Sequence, residues 1–458
     1  MHPILFRIPL PHMPLKLWWA LAAVGILATI FAGVAFRKAE RTSALTAGVI
    51  ALAAGGAGYA FRATQFEAEN LPIYSYGVML GLSLVVGWYL TLTLAERDGL
   101  PKETMANCYV VTALAAIVGS RILYVVTNLE EFDKPADFLA LRRGGLVAYG
   151  GFLGGFVGSW IYLANRRIRL MPWADVAVPS LASGLMITRI GCYLFGCDFG
   201  KQLPETAPAF LKSLGTFPHW AKGTLDAGDG SPAFLRHLEA YRGTPLGEKV
   251  MQANASLPVH PTQIYESLVG LALLVVTLYA RKRVKFRGQV FFTFAFGYGV
   301  LRFLLEIIRD DAERGNYGPS MAEHVILPGA LLLMALAFVF GMSLGITNVR
   351  LRSVLRFVAF VPAVATYWKL HPPSFGQSVE VKLSTSQWIA LFTSLAVAFF
   401  YQRYWQEARR SPVLAMSLGE FEKSDVPAKA KDEDDEESEE DDDEESRDSS
   451  STRGASRT

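Results

Sequence analysis

Tyr298, Arg302, Glu306 and Arg309 lie in one apolar segment at positions i, i+4, i+8 and i+11. At 3.6 residues per turn they share one face of a helix. Charges inside a bilayer are costly, so they mark a site more often than they decorate a surface. Arg302 and Glu306 can pair with each other, which makes the segment insertable. Arg121 and Arg189 sit at a similar depth in two other apolar segments. These three arginines outnumber the acids expected beside them, which points to a missing anion. Guanidinium grips phosphate through two parallel hydrogen bonds. The stretch His260-Pro-Thr-Gln-Ile-Tyr-Glu266 enters a further apolar segment and offers His260, Gln263 and Glu266 as a polar wall. Tyr76 and Tyr149 open two more segments at the same end. The plainer readings are a salt bridge locking two helices, a helix-start motif and ordinary interfacial tyrosines.

The elements that must carry these residues are membrane spans. The chain has 458 residues, of which 51% are hydrophobic and 19% charged. The charges are unevenly placed. Glu420 to Arg457 holds 17 acids and 6 bases, so the chain totals of 42 and 44 leave 25 and 38 for the rest, a net of +13. A basic body suits anionic headgroups. A span needs about 20 mostly apolar residues. Eleven candidates begin near Leu15, Ala44, Ile73, Thr104, Gly145, Trp173, Thr262, Gln289, Glu323, Phe357 and Gln387. The first is read as a retained span, since no small-residue cleavage site follows it.

Basic clusters follow spans one (Arg37, Lys38, Arg41), five (Arg166, Arg167, Arg169), seven (Arg281 to Arg287), nine (Arg350, Arg352, Arg356) and eleven (Arg403, Arg409, Arg410). All are odd-numbered, so the positive-inside rule puts the N-terminus outside and the C-terminus in the cytoplasm. Arg142 and Arg143 are the exception. In this arrangement the polar residues named above all fall in the outer half of the membrane.

The loop from about Cys197 to His260, with an amphipathic patch at Pro232 to Tyr241, reads as a small external lid. The tail from Glu420 should be disordered and cytoplasmic. There is no nucleotide-binding glycine motif and no internal repeat. The three cysteines, Cys108, Cys192 and Cys197, form no zinc-like pattern and no disulfide scaffold, although the last two are close in sequence.

Six segments, taken together and in order, resemble the prolipoprotein diacylglyceryl transferase family: IYSYGVML, GSRILYV, GGLVAYGGFLGG, ITRIGCYLFGCDFG, HPTQIYES and YGVLRFLLEIIR. The resemblance covers roughly Leu71 to Gly341. It implies an all-α polytopic membrane protein with a seven-span core over residues 71–345 that contains the 197–260 loop. Two extra spans precede the core in 1–70, two follow in 346–418, and the acidic tail fills 419–458. It implies an enzyme of the bacterial cytoplasmic (inner) membrane. Such an enzyme moves the diacylglyceryl group of phosphatidylglycerol to the lipobox cysteine of a preprolipoprotein, forming a thioether and releasing glycerol 1-phosphate. It needs no metal and no cofactor. Membrane lipids are partners and nucleic acid is not.

By motif position, Arg302 and Arg189 match the family's essential arginines, and Glu306 and Tyr149 join them as catalytic candidates. Tyr76, Arg121, Gly150, Gly151, Gly191, Gly200, His260, Gln263, Glu266, Tyr298 and Arg309 are the substrate-binding candidates. Three departures stand out. The family often has a histidine, proposed as the base, where this chain has Tyr149. It often has Asn and Glu where this chain has Cys192 and Cys197, with Asp198 beside the second. A phenol is a poor base unless a cation helps it; Glu306 or water are the other candidates to take the thiol proton. These departures leave a second reading, a non-catalytic or repurposed relative that binds anionic phospholipid or modifies another acceptor.

Overall fold

A computed structural model describes residues 2–9, 15–37, 48, 51–52, 54–56, 58–59, 65–66, 70–132, 145–220, 230–310, 315–372 and 378–419. The expected basic residues Lys38, Arg41, Arg142 and Arg143, most of the second candidate span and the acidic tail lie outside them. The chain is mostly helical, as expected. Short antiparallel ribbons add to the helices at their ends. Strand β1 (Ile4–Pro9) pairs with β2 (Asn70–Tyr74), and β3 (Asn316–Ala322) pairs with β4 (Glu380–Ser384).

The long helices are α1 (Leu17–Arg37), α2 (Ser75–Arg97), α3 (Lys102–Thr127), α4 (Ala148–Ala164) and α5 (Leu170–Phe195). Three short helices follow: α6 (Ala209–Leu214), α7 (Pro232–Ala240) and α8 (Pro245–Ala253). Then come α9 (Thr262–Arg281), α10 (Gln289–Ile308), α11 (Glu323–Phe340), α12 (Val349–Val358), α13 (Val361–Leu370) and α14 (Thr385–Arg410). Among the described residues, six helices are long and apolar enough to cross a membrane: Ser75–Arg97, Lys102–Thr127, Leu170–Phe195, Thr262–Arg281, Gln289–Ile308 and Glu323–Gly345. Helix α4 is one turn shorter, and the stretch around Phe357 is broken into α12 and α13 at Ala359 and Phe360.

The helices approach one another through small residues, as lipid-embedded helices do when no hydrophobic difference drives their association. On α3 and α4, a Cβ on Gly119 would fall 2.4 Å from the Gly150 carbonyl oxygen, and one on Gly154 would fall 2.4 Å from the Ala115 carbonyl oxygen. Thr112 and Ser159 hydroxyls bond across the same seam at 2.7 Å. Helices α2 and α5 are joined by Thr91 and Ser180, whose hydroxyls lie 2.5 Å apart. Gly270 of α9 rests against the Ala182 and Met186 backbone of α5, and Gly299 of α10 rests against Ala390 and Ser394 of α14. The apolar stripe Leu114, Val118 and Ile122 of α3 faces outward and is exposed.

The segment expected to act as a lid has local structure of its own. The segment between α5 and α9 folds on its own small core of Phe199, Phe217, Ala233 and Val259. Ser231 caps α7 by accepting from the Phe234 amide, and Thr244 caps α8 by accepting from the Gly247 amide. At the opposite end of the helices, Asp98 accepts from Arg281 and Arg287, both at 2.6 Å. The buried Asp175 accepts from the Gly288 and Phe291 amides at 2.7 and 2.9 Å, fixing the turn between α9 and α10.

Because a Cβ on Gly119 meets backbone rather than a flexible side chain, Gly119→Ala should destabilise the protein by about 1–3 kcal/mol, the cost of overpacking a tight contact. Thermal unfolding in detergent checks this; an unchanged midpoint would mean that α3 and α4 can part freely.

Candidate functional site

The polar residues of five apolar segments do not all meet. Those of α5, α9 and α10 do, at the end where the lid joins them. Glu266, on the first turn of α9, is buried at 3% exposure. Pro261 and Thr262 start that helix, so the carboxylate is fixed one turn in. Its Oε1 accepts from Arg302 Nη1 at 2.5 Å and lies 3.5 Å from Arg309 Nη1. Its Oε2 pairs with Arg189 Nε. Arg302 also reaches Glu306 Oε2 at 3.0 Å, one turn along α10, as its spacing requires. Asp198, just past the end of α5, completes the cluster. Its carboxylate takes Arg189 at 2.6 Å on one oxygen and Arg309 at 2.7 Å on the other.

The imbalance expected from the sequence is therefore corrected. Among the described residues, three guanidiniums, Arg189, Arg302 and Arg309, face three carboxylates, Glu266, Glu306 and Asp198. Arg309 takes the place foreseen for Arg121. Arg121, on α3, donates to the Gly145 carbonyl at 3.1 Å and lies over the Tyr124 and Phe132 rings. Spacing could show that Arg121 was an intramembrane cation. It could not show which helix it faces.

Burial raises the proton affinity of the Asp198 carboxyl, but Arg189 and Arg309 outweigh that and hold it below the usual carboxylate range. Burial, then Lys369 and Lys201, holds the His260 imidazole below its ordinary value, so near neutral pH it adds no charge. His260 bonds Tyr265 at 3.4 Å, and its backbone carbonyl accepts from Gly200 N at 3.0 Å. Gly200 is required here, because a Cβ would fall 2.7 Å from the Ile308 carbonyl and 2.8 Å from the His260 Cβ. This close approach seats Arg309 on the strand-like bridge Gly200–Arg309. Gln263 donates to the Cys197 carbonyl, and Thr262 donates to the Asp198 carbonyl. Gly191 lies against Tyr76, and Tyr298 stacks on Phe294 beside Arg302. Gly150 and Gly151 are spent on the α3–α4 seam, against Gly119 and Ser120.

Tyr149 reaches the cluster through a residue that sequence reasoning passed over. Its hydroxyl donates to Ser386 Oγ at 3.0 Å, and Arg302 Nη2 donates to the same oxygen at 3.4 Å. Ser384 Oγ donates to Glu306 at 3.0 Å. Both serines belong to the start of α14, in the stretch set aside as extra. The available signal was the capping box Ser384-x-x-Gln387, which is formed here and fixes where the helix begins.

Among the described residues, then, this is a helical membrane protein with a charge-balanced arginine–carboxylate cluster between its apolar helices. A family model described as prolipoprotein diacylglyceryl transferase matches residues 63–357, and the chain belongs to that family. It is similar to the phosphatidylglycerol–prolipoprotein diacylglyceryl transferase of Thermus thermophilus, with 32% identity over 237 residues, 52% of this chain and 79% of the relative. The enzyme of the same name from Clostridium tetani is 26% identical over 251 residues, 55% of this chain and 86% of the relative. That from Bacillus cereus is 27% identical over 269 residues, covering 58% and 87%.

Removing one partner of a buried ion pair leaves the others uncompensated. Glu266→Gln should therefore cost about 3–5 kcal/mol of stability, seen as a lower unfolding temperature in detergent. A midpoint equal to that of the unaltered protein would show that the three arginines do not depend on Glu266.

Proposed function

We propose that this chain transfers the diacylglyceryl group of phosphatidylglycerol to the lipobox cysteine of a preprolipoprotein. The observation that carries this is the convergence of Arg189, Arg302 and Arg309 on Glu266 between apolar helices. A phosphodiester entering from the lipid offers these guanidiniums oxygens that can replace those of Glu266 and Asp198. The cysteine sulfur attacks the glycerol carbon, a carbon–sulfur bond forms, and the carbon–oxygen bond to phosphate breaks. Negative charge grows on the leaving glycerol 1-phosphate, and arginines held ready in a dry site stabilise it. The thiol must lose its proton, since the thiolate is the nucleophile. Tyr149, linked to Arg302 through Ser386, and Glu306, paired with Arg302, are the groups we assign to that end of the reaction. His260, Gln263, Gly191 and Gly200 shape the entry from the lid. Tyr76 and Tyr298 line the lipid side.

We place the enzyme in the bacterial cytoplasmic (inner) membrane, with the cluster in the outer half, the N-terminus outside and the C-terminus in the cytoplasm. The core occupies 71–345, with 1–70 and 346–418 adding two spans each. The run of the chain from α11 onward supports the last three of these eleven proposed crossings. Helices α11 and α14 both start beside the β3–β4 ribbon. The intervening α12 and α13 have to return between them. The His371 ring, after α13, lies 5.8 Å from that of His324, at the start of α11.

The test is purified protein with phosphatidylglycerol and a lipobox peptide, read by mass spectrometry. Gain of one diacylglyceryl group on the cysteine is expected; no gain, beside an active relative, would overturn the reading. Arg302→Ala should lower the rate by roughly a hundredfold to a thousandfold, the scale of losing a preorganised charge donor, and a near-normal rate would remove Arg302 from the mechanism. Tyr149→Phe should slow transfer while Tyr149→His preserves or raises it; full activity of the phenylalanine variant would clear the hydroxyl of any part in proton transfer. Ser386→Ala should cost about tenfold, one hydrogen bond to a charged group, measured as initial rate.

A further inference from the structure

Cys192 and Cys197 stand where two helical breaks meet the arginine cluster. Cys192 is buried on the last turn of α5, and Cys197 is half-buried just past it. Between them Gly196 takes the left-handed conformation that ends the helix, with φ at 83°. That reversal folds Cys197 back over α5. Its Sγ lies 3.8 Å from the Cys192 carbonyl oxygen and 3.9 Å from Asp198 Oδ2. The two sulfurs and an Asp198 carboxylate oxygen all lie within 4.8 Å of one another.

Three such donors could hold a metal ion, but their surroundings argue against one. Asp198 is already taken by Arg189 and Arg309, and Arg189 Nη1 also lies 3.8 Å from Cys192 Sγ. Guanidiniums repel a divalent cation, and Arg189 favours thiolate at Cys192. Thiolate beside a second thiol is the arrangement that undergoes disulfide exchange.

We propose that Cys192 and Cys197 form a reversible disulfide that switches the arginine cluster. The half-buried Cys197 sulfur gives up its proton, attacks an external disulfide and expels one thiol. The Cys192 thiolate then attacks the mixed disulfide at the Cys197 sulfur and expels the second. Two cysteine thiols are oxidised, the external disulfide is reduced to two thiols, and the two protons leave with those thiols. Closing the bond brings the sulfurs to about 2 Å. Cys197 cannot move alone. Its carbonyl is held by Gln263 and that of Asp198 by Thr262. Asp198 already sits in the left-handed region, at a φ of 57°. The displacement therefore passes to the Asp198 carboxylate, and through it to Arg189 and Arg309. The oxidised enzyme is the slow one. On the proposed orientation the pair faces the outer compartment, where disulfides persist.

The rate effect rests on the transferase reading; the disulfide itself does not. The experiment treats the purified full chain with oxidised glutathione and follows intact mass, alkylation and transfer. Expected are the loss of two hydrogen atoms, protection of two thiols from alkylation in the denatured chain, and a rate lower by roughly tenfold to a hundredfold, the scale of a displacement of about 1 Å at a reacting centre. Dithiothreitol should restore the rate. The Cys192→Ser/Cys197→Ser double variant should run at one rate with or without oxidant, while Cys108→Ser should respond like the unaltered protein. Unchanged mass, a stable glutathione adduct, or an oxidised enzyme as fast as the reduced one would each overturn the proposal. An inactive reduced enzyme would count against the transferase reading alone.

Discussion

A carboxylate among apolar helices must be matched by positive charge, and Glu266 is matched by three guanidiniums drawn from α5, α10 and the residue just after α10. Desolvating four such groups is tolerable only together, because any one left alone would carry an uncompensated charge in a low-dielectric setting. This condition ties the helices to one another more strictly than apolar contact could. It also explains why the lid is not an independent appendage. Asp198, the first acid after α5, pairs with both Arg189 and Arg309, so the start of the segment after α5 is tied to the cluster.

The remaining packing serves the same end. Serine and threonine pairs and glycine contacts set the spacing of α2 with α5, of α3 with α4, and of α9 with α5. The ion pairs of Asp98 and the amide bonds to Asp175 secure the far ends of α2, α5, α9 and α10. At about 1.5 Å per residue, the fifteen-residue step from Glu266 to Arg281 separates the two charged ends of α9 by about 22 Å. Helices tied at both ends resist sliding past one another.

Much of this could be read from the sequence, and the reasons are local. Tyr298, Arg302, Glu306 and Arg309 announce a shared helix face through their spacing alone, and Arg302 does pair with Glu306. His260 to Glu266 announces a helix entry through Pro261. Facing is different, since it depends on how one helix is rotated against another. Arg121 looked equivalent to Arg189 by depth, yet it donates to the Gly145 carbonyl. Gly150 and Gly151 looked like part of a ligand surface, and they also allow α4 to approach Gly119 and Ser120 of α3 closely. Ser384 and Ser386 carry no charge and sit far along the chain, so nothing in their neighbourhood tied them to Arg302. The broken stretch of α12 and α13 was hidden because an apolar count ignores a turn at Ala359 and Phe360.

The start of α14 has a consequence for how this protein is divided into parts. The family model ends at 357, before this helix begins. A boundary drawn there would separate Ser384 from Glu306 and Ser386 from Arg302 and Tyr149. The stretch that the family model matches and the stretch joined by these hydrogen bonds are thus different lengths of chain. Helix α14 brings two hydroxyls to the cluster from beyond the stretch that the family model matches.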